Sequence, residues 1–219
     1  RRQRQMCIRD SVMRFHMTRR TLTPITANNS ASLFALEGDL RLVEFHSKAN
    51  ALTDESMEIV AAAAADHGKG IIIHNDAQHF SAGVDLNAFR AYIEAEDWDG
   101  IDGFLDRFQK AVCALKYTPV PVVGAPSGLA AGGGYEVLAH CDRLVVHTNS
   151  VMGLVEAGVG VVPGGGGIKD TFFRWHAAKD SWDEAAWQTW MNIGYGATGS
   201  SPQLSARMMS FRDGHDETV

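Results

Sequence analysis

An α/β fold with parallel strand pairing is predicted for the body of this 219-residue chain, on three observations. Gly70-Ile-Ile-Ile-His-Asn75 is a short, β-branched apolar run of the kind required by a strand buried on both faces. Ile101, Phe104, Leu105, Phe108, Val112 and Leu115 recur at helical spacing, with Asp102, Asp106 and Lys110 on the opposite side. Strand and helix patterns alternate along the chain, which favours parallel strands joined by crossovers.

Taken in order, residues 1–20 hold seven Arg and one Asp, while the remainder is strongly acidic. The start lacks the apolar stretch of a signal peptide. Residues 1–12 read as a non-native leader and 13–30 as linker, leaving one domain over 31–219. Leu33–Leu36 and Leu40–Phe45 flank Gly38-Asp39 and predict a β-hairpin. Thr53, followed by Asp54 and Glu55, is a helix start leading through Met57, Ile59 and Val60 into an alanine run. Pro119 and Pro121 end the 101–115 helix. Val120–Gly124 reads as a strand, Gly132–His140 as a short helix and Asp142–His147 as another strand. Beyond Gly167 the pattern is helical and aromatic, with Phe172, Phe173, Trp175, Trp182, Trp187 and Trp190 assigned to packing or interface. The polar ending Asp213–Val219 has neither an apolar face nor a helix stop and reads as a truncation.

Composition excludes several function classes. An acidic body of 13 Lys+Arg against 25 Asp+Glu argues against a nucleic-acid face. No apolar run reaches the ~20 residues of a membrane span. Cys7, Cys113 and Cys141 form no CxxC and leave one over, which points to a reducing cytoplasmic setting. Glycine is concentrated: twelve of 22 lie between Gly124 and Gly167. Dense glycine in apolar sequence implies close backbone approach to a ligand or another segment.

Two segments are suited to donating backbone amides. Phe80-Ser-Ala-Gly-Val-Asp85 follows the Ile71–Ile73 strand, and Gly132-Gly-Gly-Tyr-Glu136 opens a helix after Val122-Val123. Amides at a helix start lack intrahelical partners, and the dipole adds positive potential there. Two such donors converging on one oxygen would form an oxyanion hole. Glu136 lies three residues beyond Gly133, on the same helical face. Glu156, within Met152-Gly-Leu-Val-Glu156, has apolar neighbours that raise a carboxyl pKa and suit proton transfer.

The segments HSKANAL (46–52), FSAGVDL (80–86), GLAAGGGYE (128–136), CDRLVVH (141–147) and MGLVEAGVGVVPGGGG (152–167) resemble, in order and spacing, the motifs of the crotonase (enoyl-CoA hydratase/isomerase) superfamily. The resemblance covers roughly residues 31–176. Its wording is most similar to the hydratase module of bacterial 3-hydroxyacyl-CoA dehydrogenase/enoyl-CoA hydratase fusions. It implies the ClpP/crotonase fold of repeated β-β-α units, with the C-terminal helical part shortened. Ala82 and Gly133 would be the oxyanion amides, and Glu136 and Glu156 the two catalytic glutamates. Lys48, Asn50, Gly83, Asp85 and Leu86 would contact the CoA moiety. The implied reaction is addition of water to a trans-2-enoyl-CoA in fatty-acid β-oxidation. CoA enters as part of the substrate, and NAD only with an upstream dehydrogenase domain. A dehydrogenase or thiolase partner and homo-oligomerisation are further implications. Ile168-Lys169-Asp170 departs from the family's usual threonine-glutamine-arginine. Isomerisation within the same fold, and a non-catalytic module docked on a β-oxidation partner, stay open as alternatives.

Other motifs fail. Pro163 stands where GxGxxG needs its third glycine, and no GxxxxGK[ST] occurs. Ser127 is offset from GxSxG. His74 and His79 lack nearby zinc-ligand partners, so no metal is expected.

Overall fold

The computed structural model describes residues 22–219; the leader assignment for 1–12 and the first half of the linker lie outside this range. The Thr53 signal produces α1 (Asp54–Ala65), where the Thr53 hydroxyl accepts from the Ser56 amide and Ser56 reciprocates at the Thr53 amide. Such a cap contributes about 1 kcal/mol. The hairpin forms as expected from β2 (Ala31–Leu36) and β3 (Leu40–Phe45), antiparallel with Leu36 opposite Leu40. Gly38 and Asp39 both take positive φ in its turn.

The linker reading ends too late. Pro24–Ala27 form an edge strand, β1, antiparallel to β2, with Pro24 at the strand start, where its missing N–H costs no ladder bond. β4 (Gly70–Ile73), β5 (Val122–Gly124) and β7 (Arg143–Val146) continue from β3 in parallel. The polar ending also joins this sheet: β10 (Glu217–Thr218) pairs in parallel with β7. Among the described residues the large sheet therefore runs β1-β2-β3-β4-β5-β7-β10.

A second, three-stranded sheet holds β6 (Leu129–Ala131), β8 (Val151–Gly153) and β9 (Thr198–Gly199). Its strands have two or three residues each, too few to show periodicity in the sequence. The remaining helices are α2 (Leu86–Glu94), α3 (Trp98–Lys116), α4 (Gly133–Ala139), α5 (Gly167–Lys179), α6 (Trp182–Gly194) and α7 (Pro202–Ala206). Ile71, Ile73, Val122 and Leu144 from the sheet meet Val60, Phe108, Val112 and Leu138 from the helices in one buried cluster.

α4 is central to the site. Every one of its residues is buried, and it begins where β6 leaves the small sheet. The aromatic assignment divides: Trp175 is buried, whereas Phe173, Trp182, Trp187 and Trp190 are exposed. Among the described residues no helix is long and apolar enough to cross a membrane.

Candidate active site

Gly132 precedes α4 with φ 54° and ψ −128°, a conformation costly for any residue with a Cβ. α4 runs into the interior from that turn, with Gly133 against Val84 and Phe108 and Glu136 against Gly165 and Gly167. The Gly132 amide is held by the Gly153 carbonyl at 2.9 Å. The Gly133 amide, one residue on, has no hydrogen-bond partner among the described residues. A Cβ on Gly133 would stand 2.8 Å from Val84 Cγ2, with Phe108 next to it, so the backbone there is reachable only because the side chain is absent.

Glu136 lies in the first turn of α4 and is only 2% exposed. Its Oε1 accepts from the amides of Gly165 at 2.8 Å and Gly167 at 2.9 Å. Burial nevertheless lifts its pKa to about 7, since it outweighs the two amides, which favour the ionised form. The charge on Glu156 adds to this rise. Glu156 opens the 3₁₀ turn Glu156–Val159 and is half-buried. A Cβ on Gly132 would stand 3.0 Å from Glu156 Oε1, so Glu156 sits beside the entry to α4. Its Oε2 is buried and unpartnered among the described residues, and its pKa is raised, chiefly by burial. The fold thus brings together Gly133 and two carboxyls biased towards holding protons.

Ala82 is exposed, and its amide donates to the Ala49 carbonyl at 3.2 Å. In this conformation the donor expected to serve the oxyanion is occupied by the chain itself. Ala49 and Asn50 both take positive φ, 57° and 51°, an uncommon setting for residues other than glycine.

The expected CoA contacts are scattered in role. Lys48 is exposed on the turn Lys48–Asn50. Asn50 is buried, with its side-chain amide donating to the His79 carbonyl at 2.8 Å and its own carbonyl accepting from Ser81 Oγ. Gly83 is buried, and its carbonyl accepts from the Leu52 amide. The Asp85 carboxylate caps α2 by accepting from the Asn87 amide at 2.9 Å. Leu86 is exposed. His74 Nδ1 meets the Ala125 carbonyl, and His79 Nδ1 accepts from the Leu129 amide, so both histidines serve loop structure.

Gly165 and Gly167, marked in the sequence only as part of the 152–167 motif, hold the Glu136 carboxyl through their amides. Their signal was the PGGGG run itself, whose amides return to Glu136 across about thirty residues.

The chain matches the Enoyl-CoA hydratase/isomerase family over residues 40–175. It belongs to this family. It is 31% identical over 206 residues to a probable 3-hydroxyacyl-CoA dehydrogenase of Bacillus subtilis, covering 92% of this chain and 26% of that protein. A putative fatty acid oxidation complex trifunctional enzyme of Rickettsia felis is 35% identical over 118 residues, covering 54% of this chain and 16% of its own length. The chain therefore spans about a quarter or less of these relatives. The structure of an enoyl-CoA hydratase from Bacillus anthracis superposes with a TM-score of 0.71 at 19% identity, over 88% of this chain and 70% of that one. That likeness establishes the crotonase-like α/β fold expected from the motifs.

Proposed function

We propose that the chain adds water to the double bond of a trans-2-enoyl-CoA, giving a 3-hydroxyacyl-CoA. The observation that carries the reading is the pairing of buried Glu136 with half-buried Glu156, two electrostatically interacting carboxyls beside the unpartnered Gly133 amide. Like charges held together favour a state in which the pair retains one proton. Such a pair serves hydration directly. The ionised carboxylate takes a proton from water as its oxygen bonds to C3. The C2–C3 π electrons move towards the thioester, and negative charge collects on the carbonyl oxygen. The protonated carboxyl delivers its proton to C2, so protons and charge balance.

The Gly133 amide would hold the developing oxyanion, an interaction worth about 3 kcal/mol where water is excluded. Ala82 would supply the second donor once the Ala49 carbonyl gives way to the thioester oxygen. The reading needs no metal or redox group. The relatives' names support a place within a larger protein of fatty-acid oxidation that also carries dehydrogenase activity. The test is incubation of the purified chain with crotonyl-CoA while following the enoyl-thioester absorbance. The expected result is its decay with appearance of 3-hydroxybutyryl-CoA; no decay at micromolar protein would reject the reading.

A further inference from the structure

Behind Glu136, away from the Gly133 amide, lies a cluster that the proposed chemistry does not use. His140 ends α4, and its side chain has no solvent exposure. Its Nδ1 lies 2.7 Å from the Glu136 carbonyl oxygen. A carbonyl can only accept, so the proton sits on Nδ1. The backbone amide of His140 turns instead to the Val137 carbonyl, so the ring supplies the hydrogen bond that closes the helix onto Glu136.

The same ring supports the glycine run. Gly166 takes φ 104°, and a Cβ there would lie 2.9 Å from His140 Cε1 and 3.0 Å from Nε2. Only glycine lets this backbone rest on the imidazole. Gly165 and Gly167, on either side, are the two residues whose amides reach Glu136 Oε1. At the ring's far edge Nε2 stands 3.1 Å from Asp170 Oδ2, though neither atom is aligned for a hydrogen bond. Asp170 is fixed in turn: its amide donates to the Gly166 carbonyl, and Lys116 of α3 is ion-paired with its carboxylate. Lys169 Nζ approaches the same carboxylate at 3.8 Å.

We infer that His140 is a positioning residue for Glu136, its Nδ1 holding the Glu136 carbonyl and its Cε1 and Nε2 atoms packed close to the Gly166 backbone, so that the Gly165 and Gly167 amides stay on Oε1. The role in turnover rests on the hydratase reading; the role in fixing the Glu136 carboxyl does not. The charged groups facing the ring are Asp170 and Lys169 from α5 and Lys116 from α3, while Glu136 meets it through its backbone carbonyl. Burial holds His140 below the ordinary histidine pKa, keeping it neutral near pH 7 with Nδ1 as donor.

The test is a carboxyl-carbon NMR titration of Glu136 in the wild-type chain, His140→Leu and His140→Asn, with kcat and KM on crotonyl-CoA alongside. Withdrawing the ring loosens the two amides that favour ionised Glu136. Its titration should then move upward by about one pH unit in His140→Leu. His140→Asn keeps a donor for the carbonyl but vacates the space under Gly166, and should move in the same direction. It also provides the readout where the leucine variant does not fold. kcat should fall about tenfold or more, with KM changed less than about threefold. A Glu136 titration unchanged in a folded variant overturns the inference, whether or not the wild-type chain turns over. A wild type that titrates as described but leaves crotonyl-CoA intact counts against the hydratase reading alone.

Discussion

The Gly167 amide stands 2.9 Å from Glu136 Oε1, and a Cβ on Gly167 would lie only 3.0 Å from Glu136 Cγ. The carboxyl is thus gripped by backbone, in a space too tight for any side chain, yet burial keeps its pKa near 7. A group raised from 4.5 to about 7 binds its proton more tightly in the folded state. Its contribution to stability is full below pH 4.5 and is lost as pH rises through about 7.

Glu136→Gln should therefore stabilise the fold above pH 7 while impairing turnover. The substituted amide retains an oxygen for Gly165 and Gly167 and carries no charge to desolvate. At pH 8 the gain should be on the order of 3 kcal/mol, read as a higher midpoint in denaturant. kcat should fall by about 10²–10⁴. A variant no more stable than wild type at pH 8 would show that Glu136 is not strained by burial.

Glu156→Gln should also lower kcat by about 10²–10⁴, and Glu136→Gln with Glu156→Gln should cost little more than either alone. The two carboxyls act on one water and one enolate, so removing either disables the pair. Multiplicative losses in a double-mutant cycle would separate their roles.

Much of the fold was legible because its signals are local. The Gly70–Ile73 run, the Thr53 cap and the Gly38-Asp39 turn each specify their element within a few residues. α2 was missed although Leu86, Phe89 and Ile93 hold helical spacing, because the stretch is only nine residues long and none of them is fully buried. β6 and β8 were missed because three residues of Leu, Ala, Val, Met and Gly show no alternation. In the site, both glutamates and Gly133 stood in readable motifs. The Ala49 carbonyl on Ala82 and the His140–Gly166 contact depend on segments 33 and 26 positions apart, which only the folded chain brings together.

Gly133→Pro deletes one of the two amides proposed to hold the thioester oxygen, at a first helical position that proline's fixed φ suits, although its Cβ would press on Val84 Cγ2 at 2.8 Å. The predicted loss in kcat is about 10²–10³, with helix content by circular dichroism unchanged. Turnover within twofold of wild type, an allowance far below that effect, would remove Gly133 from the oxyanion role.

Gly132→Ala should weaken both stability and catalysis. Its positive φ opposes a Cβ, at a cost of about 1–3 kcal/mol, and the added methyl would meet Glu156 Oε1 at 3.0 Å. A lower thermal midpoint together with reduced kcat is expected; a fall in stability alone would place Glu156 outside the reaction.

In the proposed hydration, Glu136 and Glu156 together move the two protons of water addition. Incubating crotonyl-CoA with the purified chain in D2-18O, and analysing the product by mass spectrometry and NMR, follows both the oxygen and the proton that are added. One 18O at C3 and one deuterium at C2 are expected in the wild-type product, with both lost in Glu136→Gln and in Glu156→Gln. Equal label incorporation by the wild type and both variants would contradict that role of the two glutamates.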